Sequence, residues 1–458
     1  MNRQLLLALG CVMLLAGWMS AFLYRSLPQS YDIYYLVPTL LLAFGMGFVL
    51  KVVSGRLTAV ILALTAVASV LAVNTLYPSK GVTLLGIQKK LNSAMIGKPV
   101  TVQVRAADRG GIFSTDQTLA AFADIEVNLF ARTPGPPRML AFDTAGNLFV
   151  SIPKLDAVYL LRDDDQDGTA DQALLVSADL DRPHGLVWMD DRLYVAEPSR
   201  LLELRDIDSD AKADLTRVIL EGLPDDGGHW TRSLAMGGDG FLYLSVGSRC
   251  NACEEQDERR ASILKIDPAT GSAEIHATGL RNSVGLAFSA DRQSLWASDN
   301  GRDNLGEDLP PDEINLIVAG GNYGWPYCFG AQQPDPELGK QAVCRETLPS
   351  TVALQAHSAP LGIAFGDRLA APLKDRNSLY VAFHGSWNRR VPTGYKLVRI
   401  PFVDGQPTGE VEEFLSGWLA DGKAWGRPVA PVVGPDGALY LSDDRADAIY
   451  RIRWKTQE

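Results

Sequence analysis

Short apolar stretches alternate with polar turns along most of the chain, and one such pattern recurs six times. Each copy has a small apolar stretch, a Gly- or Asp-rich turn, an aromatic-rich strand and a closing strand. The copies begin at Arg138, His184, Arg232, Val284, Leu361 and Val429. Such alternation predicts short β-strands, and recurrence at about 45–50 residues is typical of a β-propeller. The sequence therefore predicts an all-β six-bladed β-propeller.

The first 78 residues differ, because they are almost entirely apolar. Three runs with few charges lie at about residues 5–23, 34–53 and 57–76. Each is long enough for a helix that crosses a bilayer core of roughly 30 Å. A cleaved signal peptide is the alternative for the first run, but two more runs follow it. We therefore expect a three-helix transmembrane anchor at 1–78, a linker at 79–116 and the propeller at 117–458.

Charges beside the apolar runs predict an orientation. Arg3 before the first run, and Lys51 and Arg56 between the second and third, favour a cytoplasmic N-terminus. Three lysines after the third run argue the other way, but large domains translocate largely regardless of charge. The expected location is a bacterial inner membrane, with a multi-pass anchor and the propeller facing the periplasm.

Four of the five cysteines lie within the predicted propeller, at Cys250, Cys253, Cys328 and Cys344. The spacing Cys250-x-x-Cys253 is compatible with half a zinc site or with a redox pair. No second CxxC motif or paired His accompanies it, which argues against zinc. We expect disulfides Cys250–Cys253 and Cys328–Cys344, as in an oxidising compartment.

The chain is acidic overall, but cationic side chains concentrate where the copies begin. The formal net charge is −11, which argues against nucleic acid as a partner. Polar residues at or just before these starts are Arg138, His184, His229, Arg232, Arg281, Asn282, His357 and Arg427. In a propeller these segments enter the innermost strands and surround the axial mouth. Guanidinium groups in a recess bind carboxylates well, so the mouth is predicted to hold a small polyanion rather than only internal ion pairs.

Among the five histidines, His229 has the most favourable surroundings for acid–base chemistry. It lies in DDGGHWTRSL, between flanking glycines and Trp230. A histidine in a cleft is a natural general base because its pKa is near neutrality. The structural alternative is a turn histidine bonded to Asp225 or Asp226. We interpret His229 as the candidate base.

One acidic loop has the spacing of a calcium site. Its carboxylates are Asp163, Asp165, Asp167 and Asp171, with Gly168 at the sixth position. This spacing matches the start of an EF-hand loop without its terminal Glu, so it predicts a structural calcium site. The loop 206–214 repeats the spacing more weakly. A solvated loop between strands is the alternative for both.

Longer stretches resemble the soluble-type quinoprotein sugar dehydrogenases, six-bladed propellers that bind pyrroloquinoline quinone (PQQ). These stretches are GGHWTRSLAMGGDGFLYLSVGS, GLRNSVGLAF, DEINLIVAGGNYGWP and GRPVAPVVGPDGALYLSDD. CNACEE and FHGSWNRR resemble the L-sorbosone dehydrogenase branch in particular. The resemblance covers residues 122–454 and leaves out the apolar segment.

The resemblance implies roles for individual residues. His229 would take the proton from a substrate hydroxyl while hydride passes to PQQ, and Arg281 would polarise the quinone. Backbone carbonyls of Gly301 and Arg302 would hold a calcium ion that bridges PQQ. The other cofactor-binding candidates are Arg232, Asn282, Asn300, His357, Arg389 and Arg427. The sequence departs from the family at Ser248, which replaces an Asp that orients the base.

The predicted function is therefore PQQ- and calcium-dependent oxidation of an aldose or a sorbosone-like sugar aldehyde. The expected partners are the sugar, the membrane bilayer, and a cytochrome or quinone that accepts the electrons. Two alternatives stay open at this point. One is a calcium-dependent sugar lactonase on a propeller, and the other is a non-catalytic propeller that binds an anionic ligand.

Overall fold

A computed structural model describes residues 97–208 and 210–455. Thirty-two short β-strands make up most of this part of the chain. The first eleven are Lys98–Thr101 (β1), Thr118–Ala121 (β2), Ile125–Arg132 (β3), Leu140–Phe142 (β4), Leu148–Ile152 (β5), Ala157–Arg162 (β6), Gln172–Ser177 (β7), Leu186–Met189 (β8), Arg192–Ala196 (β9), Arg200–Ile207 (β10) and Ala213–Glu221 (β11). The next eleven are Leu234–Met236 (β12), Leu242–Val246 (β13), Ser262–Ile266 (β14), Ala273–Thr278 (β15), Gly285–Phe288 (β16), Leu295–Asp299 (β17), Glu313–Ile317 (β18), Gly321–Asn322 (β19), Cys328–Phe329 (β20), Gln333–Pro334 (β21) and Val352–Ala353 (β22).

The last ten strands complete the sheets. They are Pro360–Phe365 (β23), Ser378–Phe383 (β24), Lys396–Val403 (β25), Gln406–Pro407 (β26), Glu412–Ser416 (β27), Leu419–Ala420 (β28), Lys423–Ala424 (β29), Pro428–Val433 (β30), Leu439–Asp443 (β31) and Ala448–Trp454 (β32). The described residues also form two four-residue α-helices, Gln341–Cys344 (α1) and Leu373–Arg376 (α2). Their 3-10 helices are Ala106–Asp108, Gly111–Ser114 and Pro153–Leu155.

The strands assemble into sheets of four or more, with mostly antiparallel neighbours. These sheets are β4-β5-β6-β7, β8-β9-β10-β11, β12-β13-β14-β15 with β19, β16-β17-β18-β22, β23-β24-β25-β27 with β1, β2 and β26, and β30-β31-β32-β3. The hairpins β20–β21 and β28–β29 stand apart. The first strands of the sheets, β4, β8, β12, β16, β23 and β30, contact one another in a closed ring. They are the inner strands of an all-β propeller.

The predicted fold class, which joined a six-bladed propeller to a three-helix transmembrane anchor, is wrong as stated. In the described residues the α-helices have four residues each, and none is long and apolar enough to cross a membrane. The predicted multi-pass location in an inner membrane, with a periplasmic propeller, is corrected by the same finding. The three apolar runs themselves, at 5–23, 34–53 and 57–76, lie outside the described residues.

The recurring turn between the first two strands of a sheet is built by Asp, Gly and Asn. In the first copy, the Asn147 backbone N–H donates to Asp143 Oδ1 over 2.8 Å, and Gly146 has a φ of 95°. A positive φ of this kind favours glycine. The turn therefore forces the second strand to run back along the inner strand.

Serines in the same repeat join neighbouring sheets near the axis. Ser151 Oγ donates to the carbonyl of His184, Ser298 Oγ to that of Leu361, and Ser442 Oγ to that of Arg138, over 2.7–2.8 Å. Each bond links one sheet to the segment that enters the next inner strand. The backbone that carries the candidate site is thereby fixed.

The apolar core lies between neighbouring sheets rather than at one centre. Consecutive residues of β5 point to opposite faces, as strand geometry requires. Leu148 packs with Tyr440 and Ile449 of the sheet before, and Phe149 packs with Leu193 of the sheet after. Both faces of each sheet are covered, so the sheets stand side by side around the axis.

Candidate functional site

The polar candidates gather at the end of the propeller where the inner strands begin. Because the second strand of each sheet runs antiparallel to the first, the loop that follows the second strand lies at this same end. The loops 247–261, 300–312, 384–395 and 444–447 therefore meet the segments that carry His229, Arg281 and Arg427. We call this end the mouth.

His229 has a defined tautomer. Its Nδ1 lies 2.9 Å from both the carbonyl oxygen and the Oγ of Ser248. The Ser248 hydroxyl donates its own hydrogen to the carbonyl of Cys250 over 2.8 Å, so both Ser248 oxygens act as acceptors toward the ring. Nδ1 therefore carries the hydrogen, which leaves Nε2 as the lone-pair nitrogen. Ser248 orients the ring at the position where the resembled family has an Asp.

The surroundings of His229 keep the ring neutral. Burial, and after it the charge of Arg281, lowers the pKa of His229 to about 3. The ring lies close to Asn282, because a Cβ at Gly247 would come within 2.6 Å of His229 Cβ and 2.9 Å of Asn282 Oδ1. A glycine is needed at 247 for this approach. The result is an unprotonated base near the side-chain amide of Asn282, which has no hydrogen-bond partner in the described part of the chain.

Arg281 is held by a set of partners that we call the Asp303 cluster, made of Asn251, Arg281, Asp303 and Asn388. Arg281 Nη2 lies 3.2 Å from Asp303 Oδ2 and 2.9 Å from Asn251 Oδ1, and its Nε donates to the Asn251 carbonyl over 2.9 Å. Asn388 Nδ2 donates to Asp303 Oδ1 over 2.9 Å. The guanidinium is thus fixed, and its charge has a carboxylate partner.

A second set, the Asp444 cluster, consists of Arg138, His384, Arg427 and Asp444. Asp444 accepts from Arg138 Nη1 at 2.8 Å and from Arg427 Nε at 2.7 Å, and His384 Nε2 lies 3.0 Å away. Burial alone would raise the pKa of Asp444, but His384 and the two arginines outweigh it and hold the pKa well below its ordinary value. Burial lowers the pKa of His384 to about 4, so the ring is neutral near pH 7. Two guanidiniums therefore share one carboxylate.

Buried aspartates at the ends of two second strands fix the backbone of both clusters. Asp299 accepts the N–H groups of Arg281 and Asn282 at 3.0 and 2.8 Å. Asp443 accepts the N–H of Arg427 at 2.7 Å. Burial raises the pKa of each carboxyl to about 6.

Arg232 points into the protein rather than into the mouth. Its side chain has no exposed surface, and it donates to the carbonyls of His229 at 3.1 Å, Thr231 at 2.8 Å and Pro224 at 2.5 Å. Burial and then the charge of Arg260 lower its pKa to about 9, so it stays charged near pH 7. Arg232 thus holds the loop that carries His229.

His357 and Arg389 support the neighbouring loops. His357 Nε2 lies 2.9 Å from the Gly306 carbonyl, and its Nδ1 lies 3.3 Å from Asn388 Nδ2. Arg389 donates to the carbonyls of Glu307 and Ala356 and pairs with Asp308. Its buried Nε has no partner among the described residues.

Asn300, Gly301 and Arg302 form the turn after β17. Asn300 Nδ2 donates to the carbonyls of Asn282 and Pro360 at 3.1 Å, so its amide is occupied. Gly301 N–H donates to Asp312 at 2.9 Å, and the Arg302 side chain pairs with Asp335 at 2.7 Å. The carbonyls of Gly301 and Arg302 accept no hydrogen bond from the part of the chain that the structure covers. These two carbonyls are therefore not committed to hydrogen bonds within the described residues.

The acidic loop between β6 and β7 lies at the opposite end of the propeller. Carboxylate oxygens of Asp163, Asp165 and Asp171 approach within 4.8 Å of one another, whereas Asp167 is not in this group. Burial and then repulsion from Asp167 raise the pKa of Asp163, against hydrogen bonds from the N–H groups of Gly168 and Asp167. Three of the four predicted calcium ligands are therefore close together, and all four lie at the end of the propeller opposite the mouth.

A cavity of about 510 Å³ also lies at that opposite end. Its lining includes Trp188, Met189, Phe288, Phe365 and Val433, which stand at the far ends of inner strands. Charged residues, namely Arg292, Asp367 and Arg368, also line it, but none of the residues that the sequence predicted for catalysis or cofactor binding does.

Both predicted disulfides are confirmed, Cys250–Cys253 and Cys328–Cys344. Sequence reasoning missed Asn251, Asp303, Asn388 and Asp444 as partners at the mouth. Asn251 lies between the paired cysteines, and Asp444 follows directly on the last repeat. The sequence positions of Asn251 and Asp444 could therefore have marked them as candidates. The residues that they bind, however, come from loops that are distant in sequence.

Comparisons with known proteins agree with this architecture. A family model described as TrAA12-like matches residues 120–455. An uncharacterized protein from Borreliella burgdorferi is 30% identical over 334 residues, which cover 70% of this chain and 86% of that protein. A pyrroloquinoline quinone-dependent pyranose dehydrogenase from Coprinopsis cinerea is 26% identical over 69% of this chain. The chain spans 52% of that relative, about half of its length.

Two solved structures have the same fold. The calcium structure of the Trichoderma reesei family AA12 enzyme has a TM-score of 0.65 at 22% identity and covers 74% of this chain and 97% of that chain. The holo form of the PQQ domain of the Coprinopsis cinerea pyranose dehydrogenase has a TM-score of 0.64 at 22% identity, covering 73% and 97%. At this identity the two structures support the propeller fold alone.

Proposed function

The chain belongs to the TrAA12-like family, and on that premise we propose that it is a PQQ-dependent sugar dehydrogenase. The observation that carries the proposal is a neutral His229 at the same mouth as an Asp444 cluster in which one carboxylate serves two guanidiniums. Relatives named for PQQ-dependent oxidation of pyranoses and sugars support the substrate class. The predicted resemblance is confirmed at this level, and the L-sorbosone branch stays a prediction.

The residues of the mouth fit a flat, tri-acid quinone. Both Nη groups of Arg427 and the side-chain amide of Asn282 have no hydrogen-bond partner among the described residues. Guanidinium and amide donors bind carboxylate and quinone oxygens, and the open carbonyls of Gly301 and Arg302 suit calcium. These residues would hold PQQ and calcium, whereas the unpaired Nε of Arg389 is buried and has no exposed surface to offer a ligand. When bound, PQQ supplies the hydride acceptor.

His229 performs the acid–base part of the proposed reaction. Its Nε2 accepts the proton of the sugar hydroxyl, because Nδ1 is committed to Ser248. The pKa of about 3 keeps Nε2 unprotonated near neutral pH, but it lies well below the near-neutral pKa that the sequence predicted and that makes a strong general base. Arg281, fixed by the Asp303 cluster, directs positive charge toward the reacting oxygen.

The finer assignments extend this proposal. We take the substrate to be an aldose or a sorbosone-like sugar aldehyde in its hydrated form, which presents the hydroxyl that His229 needs. The acceptor of the electrons is proposed to be a cytochrome or a quinone. The sequence has no CxxCH motif for covalent haem attachment.

The test is a titration of the purified protein with PQQ and calcium, followed by dye reduction across a panel of aldoses and sugar aldehydes. Saturable binding with sugar-dependent dye reduction is the expected result. Binding without turnover on any sugar would instead favour a non-catalytic propeller. Hydrolysis of sugar lactones without PQQ would favour the lactonase.

A further inference from the structure

The Cys250–Cys253 disulfide closes a small loop that reaches from one sheet to the next. The loop lies between β13 and β14, and Asn251 inside it contacts residues around β16 and β17. Asn251 Oδ1 accepts from the Asp303 N–H at 2.7 Å, and its Nδ2 donates to the Asp303 carbonyl at 3.1 Å. Together with its two bonds to Arg281, Asn251 joins both members of the central ion pair.

The same loop also reaches the candidate base. The carbonyl of Cys250 accepts the hydroxyl hydrogen of Ser248, and this bond leaves Ser248 Oγ free to accept from His229. The orientation of Arg281 and the tautomer of His229 therefore depend on one segment of four residues. The disulfide fixes that segment, because it joins the residues on both sides of Asn251.

We infer that the Cys250–Cys253 loop is a thiol-sensitive clamp on the mouth, in which Asn251 is the positioning residue for Arg281. The inference rests on the proposed function for its effect on turnover, but the clamp itself is a property of the protein without cofactor. A dithiol reductant breaks the S–S bond by donating two electrons and two protons. The protein gains two thiols and the reductant becomes a cyclic disulfide.

The two disulfides differ in access, and this difference makes the clamp selective. Cys250 and Cys253 are half-buried, whereas Cys328 and Cys344 are 4% and 0% exposed. Thiol–disulfide exchange requires the attacking thiolate to reach a sulfur atom. A mild dithiol therefore reduces Cys250–Cys253 first and leaves Cys328–Cys344 as an internal control.

The first experiment replaces the positioning residue. Asn251→Ala removes the side-chain acceptor, and we expect kcat to fall about tenfold with a change in sugar KM of less than about twofold. In the protein without cofactor, amide exchange at Asp303 should become at least about tenfold faster, because the N–H loses its partner. Asn251→Asp keeps an acceptor oxygen for both partners and should recover kcat to within about threefold.

The matched control is Ala252→Ser, which changes the same loop at a side chain without a role in the cluster. It should leave kcat and Asp303 exchange unchanged. If Asn251→Ala behaved like this control in both measurements, or lowered kcat and raised KM alike without rescue by Asn251→Asp, the positioning role would be wrong. Near-ultraviolet circular dichroism of each variant shows whether it is folded.

The second experiment reduces the clamp. The protein is treated with dithiothreitol, free thiols are located by alkylation, and Asp303 exchange is followed over the same time. Exchange should rise in step with alkylation of Cys250 and Cys253, while Cys328 and Cys344 stay unmodified. The double variant Cys250→Ser/Cys253→Ser should show the fast exchange before any treatment.

Failure of the clamp and failure of the proposed function give different results. A wild-type protein that neither binds PQQ nor oxidises sugars contradicts the function, yet Asp303 exchange still tests the clamp. Unchanged exchange after full alkylation of Cys250 and Cys253 overturns the clamp, whatever the activity. A loss of turnover on reduction without faster exchange overturns it as well.

Discussion

The Asp303 cluster and the Asp444 cluster occupy equivalent places in two sheets but treat positive charge differently. Each contains an arginine that enters an inner strand and a carboxylate just after the second strand. In the Asp303 cluster one guanidinium meets one carboxylate, Asn251 accepts from Nε and Nη2 of Arg281, and the Asn300 carbonyl accepts from Nη1. In the Asp444 cluster two guanidiniums share one carboxylate, and within residues 97–208 and 210–455 neither Nη group of Arg427 has a hydrogen-bond partner.

The two clusters suit different tasks. The Asp303 cluster fixes the orientation of Arg281, and the Asp444 cluster leaves Arg427 with charge that can attract an anion. Arg281 is neutralised and immobile, which suits a group that must stand at a fixed point beside a reacting oxygen. Arg427 is partly exposed and carries unbalanced charge, which suits a group that draws in a carboxylate. Cationic residues that looked alike in the sequence therefore divide into two kinds.

Replacing His229, which lies on the same side of the mouth as Arg281, should have the largest effect of these predictions, a loss of kcat. His229→Gln removes the base, and we expect kcat to fall by about 10²–10⁴-fold, the usual size of a lost proton transfer. PQQ affinity should change little. The control is His276→Gln on the outer strand β15, which should keep kcat within about twofold; equal losses in both variants would argue against a base at 229.

Asp444→Asn should have the next largest effect, on stability. It leaves Arg138 and Arg427 without their shared carboxylate in a buried position, which costs about 3–5 kcal/mol of unfolding free energy. The equivalent Asp303→Asn should cost clearly less, because Asp303 is 22% exposed against 6% for Asp444. Chemical denaturation measures both, and a larger loss at Asp303 would reverse the ranking of the clusters.

Arg427→Gln should weaken PQQ binding about tenfold by removing a charge-assisted contact to a carboxylate. The matched control is Arg445→Gln, which removes the same charge from an exposed side chain in the neighbouring loop. Titration of the protein with PQQ gives both Kd values. Indistinguishable Kd values for the two variants would mean that net charge, and not Arg427, attracts the cofactor.

The change in the rate of proton abstraction with pH should be the smallest of these effects. Because the pKa of His229 is lowered to about 3, the ring stays unprotonated as the pH falls from 7 to 5. The rate of proton abstraction should therefore drop less than about twofold over this range, whereas a base with an ordinary histidine pKa near 6.5 would lose most of its rate. The single-turnover rate measured against pH checks this, with Asp299→Asn measured in parallel because the pKa of Asp299 at the same mouth is raised to about 6. An acid limb near pH 6.5 that persists in that variant would contradict the low pKa of His229.

Local features of the site could be predicted from the sequence. The repeats gave the starts of the inner strands because each repeat carries its own turn, such as Asp143–Asn147, and its own strand period. The disulfide pairs followed from spacing and number. His229 and Arg427 were found because they stand directly before repeats.

The partners of these residues could not be predicted in the same way. Asn251, Asp303 and Asn388 come from three sheets and meet only when the inner strands close into a ring. Arg232 stands before a repeat like Arg427, yet its side chain turns inward to three carbonyls, since the loop from Pro224 to Thr231 needs donors. The transmembrane anchor was predicted mainly from hydropathy. The apolar runs that carried this prediction lie outside the described residues.

The joining of β3 to β32 has a consequence for the whole molecule. Strand β3 comes early in the propeller and β32 is its last strand, and they pair from Ile125 with Trp454 to Arg132 with Ala448. Arg138 follows the former strand and Asp444 precedes the latter, so their ion pair spans the place where the circle is completed. An anion captured beside Arg427 would therefore be linked thermodynamically to keeping β3 and β32 in register, and occupancy should slow the opening of this strand pair and its cleavage by proteases.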